Sequence, residues 1–280
     1  MKYNNIVKIF CVALPISVLL RVIQMVYTVE DVTGFFKRGY AGVGFVLLVT
    51  VFIAFAAVFA TSYTARRCPP NPPKVDLVTG LFSLALGVAI AYQLFTEEFV
   101  SNVRSWQIIM LDITGVLAAI YFIAFGFKMI INYKLPKLFS LVPAVYWIFR
   151  LICIFTSISE LALIAENVIT LASNCLILLF MVSMAKLYNG IDNEKNFKKL
   201  LSFGLCCVMA CFTDALPRII ALISGHAEYM HGTLPAAFTV LMCGFFTASF
   251  IFAHFSSSNL KKKRHLKSSR TSAKYYTDYR

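Results

Sequence analysis

Three arginines and several carboxylates lie inside long apolar stretches of this 280-residue chain, where a charged side chain is costly. Arginine presents a planar fork of donors that binds carboxylates and other anions, and a nearby aspartate can balance its charge or carry a proton. These residue types favour a binding site for a small anionic or zwitterionic solute. The candidate ligand-binding residues are Arg21, Asp112, Arg150, Glu160, Asn174, Asp214 and Arg218.

The spacing of these residues predicts a polar stripe on each of four helices, with members three or four positions apart. Asp214 and Arg218 stand at i and i+4 and can pair directly. The stripes are Arg21 with Gln24 and Thr28; Arg150 with Cys153, Ser157 and Glu160; Asn167 with Thr170 and Asn174; and Gly204 with Cys207, Cys211, Asp214 and Arg218.

The depth of the charges places them at one level of the membrane. Arg21 and Arg150 each follow a basic residue at the inner boundary by 13 positions. At ~1.5 Å per residue this corresponds to about 20 Å, in the outer leaflet. We expect the four stripes to converge on a polar pocket open to the outside. The alternative is an ion-pair network that only holds the helices together.

The elements that carry these residues are transmembrane helices. Hydrophobic residues make up 59% of the chain and charged residues 14%, and no connection between the apolar runs is long enough to fold a soluble domain with its own core. Runs of about 20 apolar residues match the thickness of a bilayer core. We predict an all-α, polytopic transmembrane bundle in the plasma membrane. Its eight predicted spans are 8–28, 42–63, 76–95, 107–131, 138–158, 165–187, 199–222 and 233–255.

The distribution of basic residues predicts the orientation. Twenty lysines and arginines lie at the N-terminal end, in alternate connections and in the tail, whereas the other connections hold three. This asymmetry places the N- and C-termini in the cytoplasm, which requires an even number of spans. Spans 1 and 5 share a proline followed by an arginine (Pro15 and Arg21, Pro143 and Arg150), so a parallel 4+4 duplication is an open alternative to unrelated helices.

The chain divides into an eight-helix transmembrane domain, 1–258, and a basic cytoplasmic tail, 259–280, which we expect to be disordered. The tail suits anionic lipid of the inner leaflet better than a nucleic acid. Its lipid-contacting residues would be Lys261, Lys262, Lys263, Arg264 and Lys267.

No catalytic, phosphate-binding or haem-binding motif occurs in the chain, so no enzyme activity, cofactor or metal is expected. Cys206, Cys207 and Cys211 lack a fourth ligand at their depth and are interpreted as core thiols. Two functions are favoured over a third, an intramembrane enzyme. One is a small-solute transporter or binding protein, and the other is a non-transporting sensor or assembly protein whose intramembrane charges are structural. The oligomeric state is not indicated.

Overall fold

A computed structural model describes residues 3–28, 36–37, 39–64, 75–98, 106–133, 135–158, 165–191, 193–223 and 233–253. Within these residues the chain forms eight helices long and apolar enough to cross a membrane, which confirms the predicted fold class. A short 3₁₀ turn, Lys137–Leu141, leads into the fifth helix. The helices are α1 Tyr3–Thr28, α2 Ala41–Tyr63, α3 Leu77–Glu98, α4 Trp106–Ile131, α5 Val142–Ile158, α6 Ala165–Asn189, α7 Asn193–Ile223 and α8 Leu234–Ala253.

The most polar span, α7, is the central helix. In its most apolar 18-residue stretch 83% of the residues are buried, against 22% in α1. It packs against α1, α2 and α6, and Phe212 packs edge-to-face on Phe245 of α8 at a ring-centroid distance of 5.0 Å. Because lipid touches little of α7, this helix can carry polar groups that a lipid-facing helix could not.

Helix α7 begins at Asn193, six residues before the predicted start at position 199. Its first turns are held by a buried amide, since Asn196 Nδ2 donates a 2.8 Å hydrogen bond to the Ser183 carbonyl of α6. The hydropathy pattern misses this start because its first residues are polar, although Asn196 is buried against α6.

Two apolar clusters flank α7. The larger one contains residues of all six helices from α3 through α8 and is rich in aromatic rings. For example, Phe122 of α4 packs edge-to-face on Phe246 of α8. The smaller one joins α1 and α2 to α7 through Ile6, Val58 and Met209. Large apolar side chains such as Leu19 are 60% exposed on the outer surface of the bundle. Such a surface fits contact with a lipid bilayer.

Small residues bring α3 and α4 into close contact. A Cβ atom at Gly126 would lie 2.8 Å from the Gly80 carbonyl oxygen, and one at Gly87 would lie 3.0 Å from the Ala119 carbonyl oxygen. Ser83 Oγ, between the two α3 glycines, donates a 2.6 Å hydrogen bond to the Phe122 carbonyl. The small residues therefore set the spacing of this helix pair, as small residues do in membrane bundles.

Substitution of Gly126 by alanine should lower the thermal unfolding temperature of the purified protein in detergent. The added methyl group meets backbone of α3, which cannot rotate away, and overpacking of this kind costs about 1–3 kcal/mol. The matched control is Gly42→Ala in α2, where an added Cβ has no atom within 4 Å. Equal unfolding temperatures for the two variants would contradict a close α3–α4 contact.

Candidate functional site

Arg21 is buried on α1 and is linked to α2 through Gln24. It is 3% exposed, and its guanidinium donates a 2.6 Å hydrogen bond to Gln24 Oε1. Gln24 Nε2 in turn donates to the Gly44 carbonyl of α2 at 2.7 Å. Arg21, Gln24 and Thr28 are all buried, and the Gln24 amide links α1 to α2.

Arg150 is a residue of α5, and its side chain reaches α3 inside the bundle. Its guanidinium donates hydrogen bonds to Gln93 Oε1 at 2.9 Å and to the Tyr146 hydroxyl at 3.1 Å. It also lies over the Trp147 ring, 4.8 Å from the centroid. These partners are all neutral, and within the described residues no carboxylate forms an ion pair with Arg150, which is 6% exposed.

Trp147 adds a second donor beside Arg150. The indole is fully buried, yet its Nε1–H has no hydrogen-bond partner in the described part of the chain. A buried donor left unpaired costs about 1–3 kcal/mol. The middle of α5 therefore holds a positive charge and a hydrogen-bond donor that have no acceptor of opposite charge among the described residues.

Asp214 and Arg218 form a buried ion pair on α7, with 3.1 Å between Oδ1 and Nη2. Two hydroxyls of α6 complete it. Thr170 Oγ1 accepts from Arg218 Nη2 at 2.6 Å and donates to Asp214 Oδ1 at 3.2 Å, and Ser173 Oγ donates to Asp214 Oδ2 at 2.9 Å. The charges therefore balance each other and tie α6 to α7.

Asn174 lies on the same stripe of α6 and is fully buried. Its Nδ2 donates to the Thr170 carbonyl at 2.7 Å. Its Oδ1 is an acceptor without a partner in the described residues. A bound water or a donor group of a solute would satisfy this oxygen.

Asp112 is half-buried on α4 and lies near enough to Cys153 of α5 for an electrostatic interaction. Cys153 Sγ also contacts the Gln107 carbonyl at 3.7 Å, so α4 and α5 meet here. Glu160 and the tail residues Lys261, Lys262, Lys263, Arg264 and Lys267 lie outside the described residues.

The contacts thus join two of the four predicted stripes, those of α6 and α7. The stripes of α1 and α5 have partners on α2 and α3, respectively. Convergence of all four on one pocket stays a prediction. Sequence reasoning missed Gln93 and Ser173, because a single polar residue in an apolar run carries no signal of the helix that it faces.

Comparison of the chain with protein-family models, with curated proteins and with solved structures finds no match. The chemistry of the site therefore has to be inferred from its own residues.

The Asp214–Arg218 pair should be strongly coupled in stability. Asp214→Asn or Arg218→Gln alone removes one half of a buried ion pair, which costs about 3–5 kcal/mol. The double substitution should cost clearly less than the sum of the two, because it leaves no charge without its counter-ion. Unfolding temperatures in detergent, measured for all three variants, give this comparison.

Ser173→Ala is the matched control, since it removes one hydrogen bond to Asp214 and leaves both charges in place. A loss of about 1 kcal/mol is expected for it. Strictly additive losses for the Asp214 and Arg218 variants would show that the two charges do not stabilise each other.

Proposed function

We propose that this multi-pass membrane protein binds a small anionic or zwitterionic solute, as a transporter or a binding protein, with Arg150 as the anchor of the anionic group. The observation that carries the proposal is the neutral environment of this buried guanidinium. Asp214 and Arg218 neutralise each other, whereas Arg150 has no described counter-ion.

The energetic argument concerns desolvation. A charge taken out of water costs several kcal/mol even after relaxation, and neutral hydrogen bonds offset only part of that cost. A carboxylate or another oxyanion at Arg150 would supply the missing charge, and its oxygens could accept from the Trp147 Nε1–H. Gln93 and Tyr146 would hold the guanidinium in a fixed orientation, so that the solute does not have to order it.

The other candidate residues take supporting roles in this proposal. The unpartnered Asn174 Oδ1 would accept from a donor group, for example the ammonium of a zwitterion. Asp214 would carry a proton if transport is proton-coupled, since its protonation releases Arg218 from the ion pair. Asp112, at the α4–α5 contact, would balance the charge of the site before solute enters.

In this proposal the orientation of the protein in the membrane follows from the distribution of its basic residues. Both termini would lie in the cytoplasm of a cell with this protein in its plasma membrane, and the site would open to the outside. The tail 259–280 would contact anionic lipid.

A sensor or assembly protein is the second candidate. It is favoured by the Asp214–Arg218 network, whose hydrogen bonds to Thr170 and Ser173 explain these charges without any solute. In that case Arg150 would serve only to link α5 to α3. The two candidates differ in whether an anion stabilises the protein through Arg150.

The test is the thermal unfolding temperature of the purified protein in the sodium salts of acetate, glutamate, sulfate and phosphate, each compared with chloride at equal ionic strength. We expect at least one of these anions to raise the temperature by several degrees, because a ligand at a hundred times its Kd adds about 2.7 kcal/mol. The part of the increase that depends on a bound anion should be lost in Arg150→Gln and should shrink in Trp147→Phe.

Arg150→Lys is the matched control, because it keeps the charge but loses the donor fork. It should retain only part of the stabilisation. Sulfate and phosphate stabilise many proteins without a site, and that contribution would persist in Arg150→Gln. An increase of the same size in wild type and Arg150→Gln, or none in wild type, would favour the sensor or assembly protein.

A further inference from the structure

Three buried thiols from two helices meet at the centre of the bundle. Cys207 and Cys211 lie one turn apart on α7, and Cys243 reaches them from α8, so that the three sulfur atoms lie within 4.8 Å of one another. All three side chains are 0% exposed. The helices can approach because α8 has Gly244 next to Cys243, where a Cβ atom would lie only 2.9 Å from the Cys211 Cβ.

The sulfur positions suit a metal ion with three sulfur ligands. A metal–sulfur bond of about 2.3 Å in a trigonal site sets the sulfur atoms about 4 Å apart. The Cys207 and Cys211 sulfur atoms are 3.9 Å apart, and Cys243 is within reach of both after a small rotation of its side chain.

We propose that Cys207, Cys211 and Cys243 form a site for a thiophilic monovalent cation, Cu(I). Thiolate ligands select soft ions such as Cu(I), and zinc sites are almost always four-coordinate. Within the described residues the group holds three ligands and no histidine or carboxylate as a fourth. A three-sulfur site without a fourth ligand therefore favours Cu(I) over Zn²⁺.

The bound site would be negatively charged. Cysteine ligates a metal as the thiolate, so the three thiols would lose their protons on binding and Cu(I) with three thiolates has a net charge of −2. Arg150 lies close enough to Cys243 for an electrostatic interaction and would supply the opposite charge.

The experiment is a titration of the purified, reduced full-length protein with Cu(I) under anaerobic conditions, in competition with a chelator of known affinity. We expect one ion per chain. Cys211→Ser or Cys243→Ser should weaken binding by more than about a hundredfold, beyond the 10–100-fold cost of losing an outer-shell partner. The control is Cys206→Ser, a neighbouring buried thiol that faces the Phe55 carbonyl of α2 at 3.5 Å and should leave the affinity unchanged.

A second measurement needs no variant. Bound Cu(I) should protect Cys207, Cys211 and Cys243 of the wild-type protein from alkylation during brief unfolding, and should leave Cys206 reactive. X-ray absorption should give only sulfur neighbours at about 2.3 Å. Absence of binding in wild type, or equal binding in Cys243→Ser and Cys206→Ser, would overturn the proposal. Unchanged anion stabilisation in Cys243→Ser would separate this site from the solute site.

Discussion

The structure depends on the neutralisation of charge in a medium without water. A polar group in a membrane span must find its partner within the protein, because lipid offers none. Helix α7 meets this constraint by its central position, which surrounds Asp214 and Arg218 with α6 hydroxyls and not with acyl chains. The apolar contacts of α1, α2, α6 and α8 with α7 then hold the ion pair in place, and the pair in turn sets how α6 and α7 align.

Arg150 departs from this rule, since no carboxylate of the described residues forms an ion pair with it. Its guanidinium and the neighbouring Trp147 Nε1–H present donors that the described residues do not fully use. Both proposals place a negative group near this one cation. A solute oxyanion would meet the guanidinium directly, whereas a copper–thiolate group would meet it through Cys243. The proposals are separable in their ligands, since one requires oxygen acceptors and the other sulfur. If both hold, solute and Cu(I) would compete for the same counter-charge.

Helix number and type follow from the sequence, because run length and the lack of charge are local properties. The pairing of Asp214 with Arg218 is equally local, since i and i+4 side chains share a helix face. Contacts between helices are not local. Gln93 facing Arg150, and Cys243 facing Cys207, depend on which helices pack together and on their rotation. The sequence therefore groups Cys206 with Cys207 and Cys211, although Cys206 faces α2. Helix α7 is the least hydrophobic of the eight spans because it lies at the centre of the bundle, where polar residues contact protein and not lipid.

The most direct test of a solute site at Arg150 is the reactivity of Cys153, which is half-buried one turn further along α5. Wild-type protein in sealed vesicles would be treated with a membrane-impermeant thiol reagent, and the modified cysteines identified by mass spectrometry. We predict that Cys153 reacts while Cys206 does not, and that the anion found to stabilise the protein slows the reaction. Modification of Cys153 only after unfolding would show that the region around Arg150 is closed to water, which would contradict a solute site there.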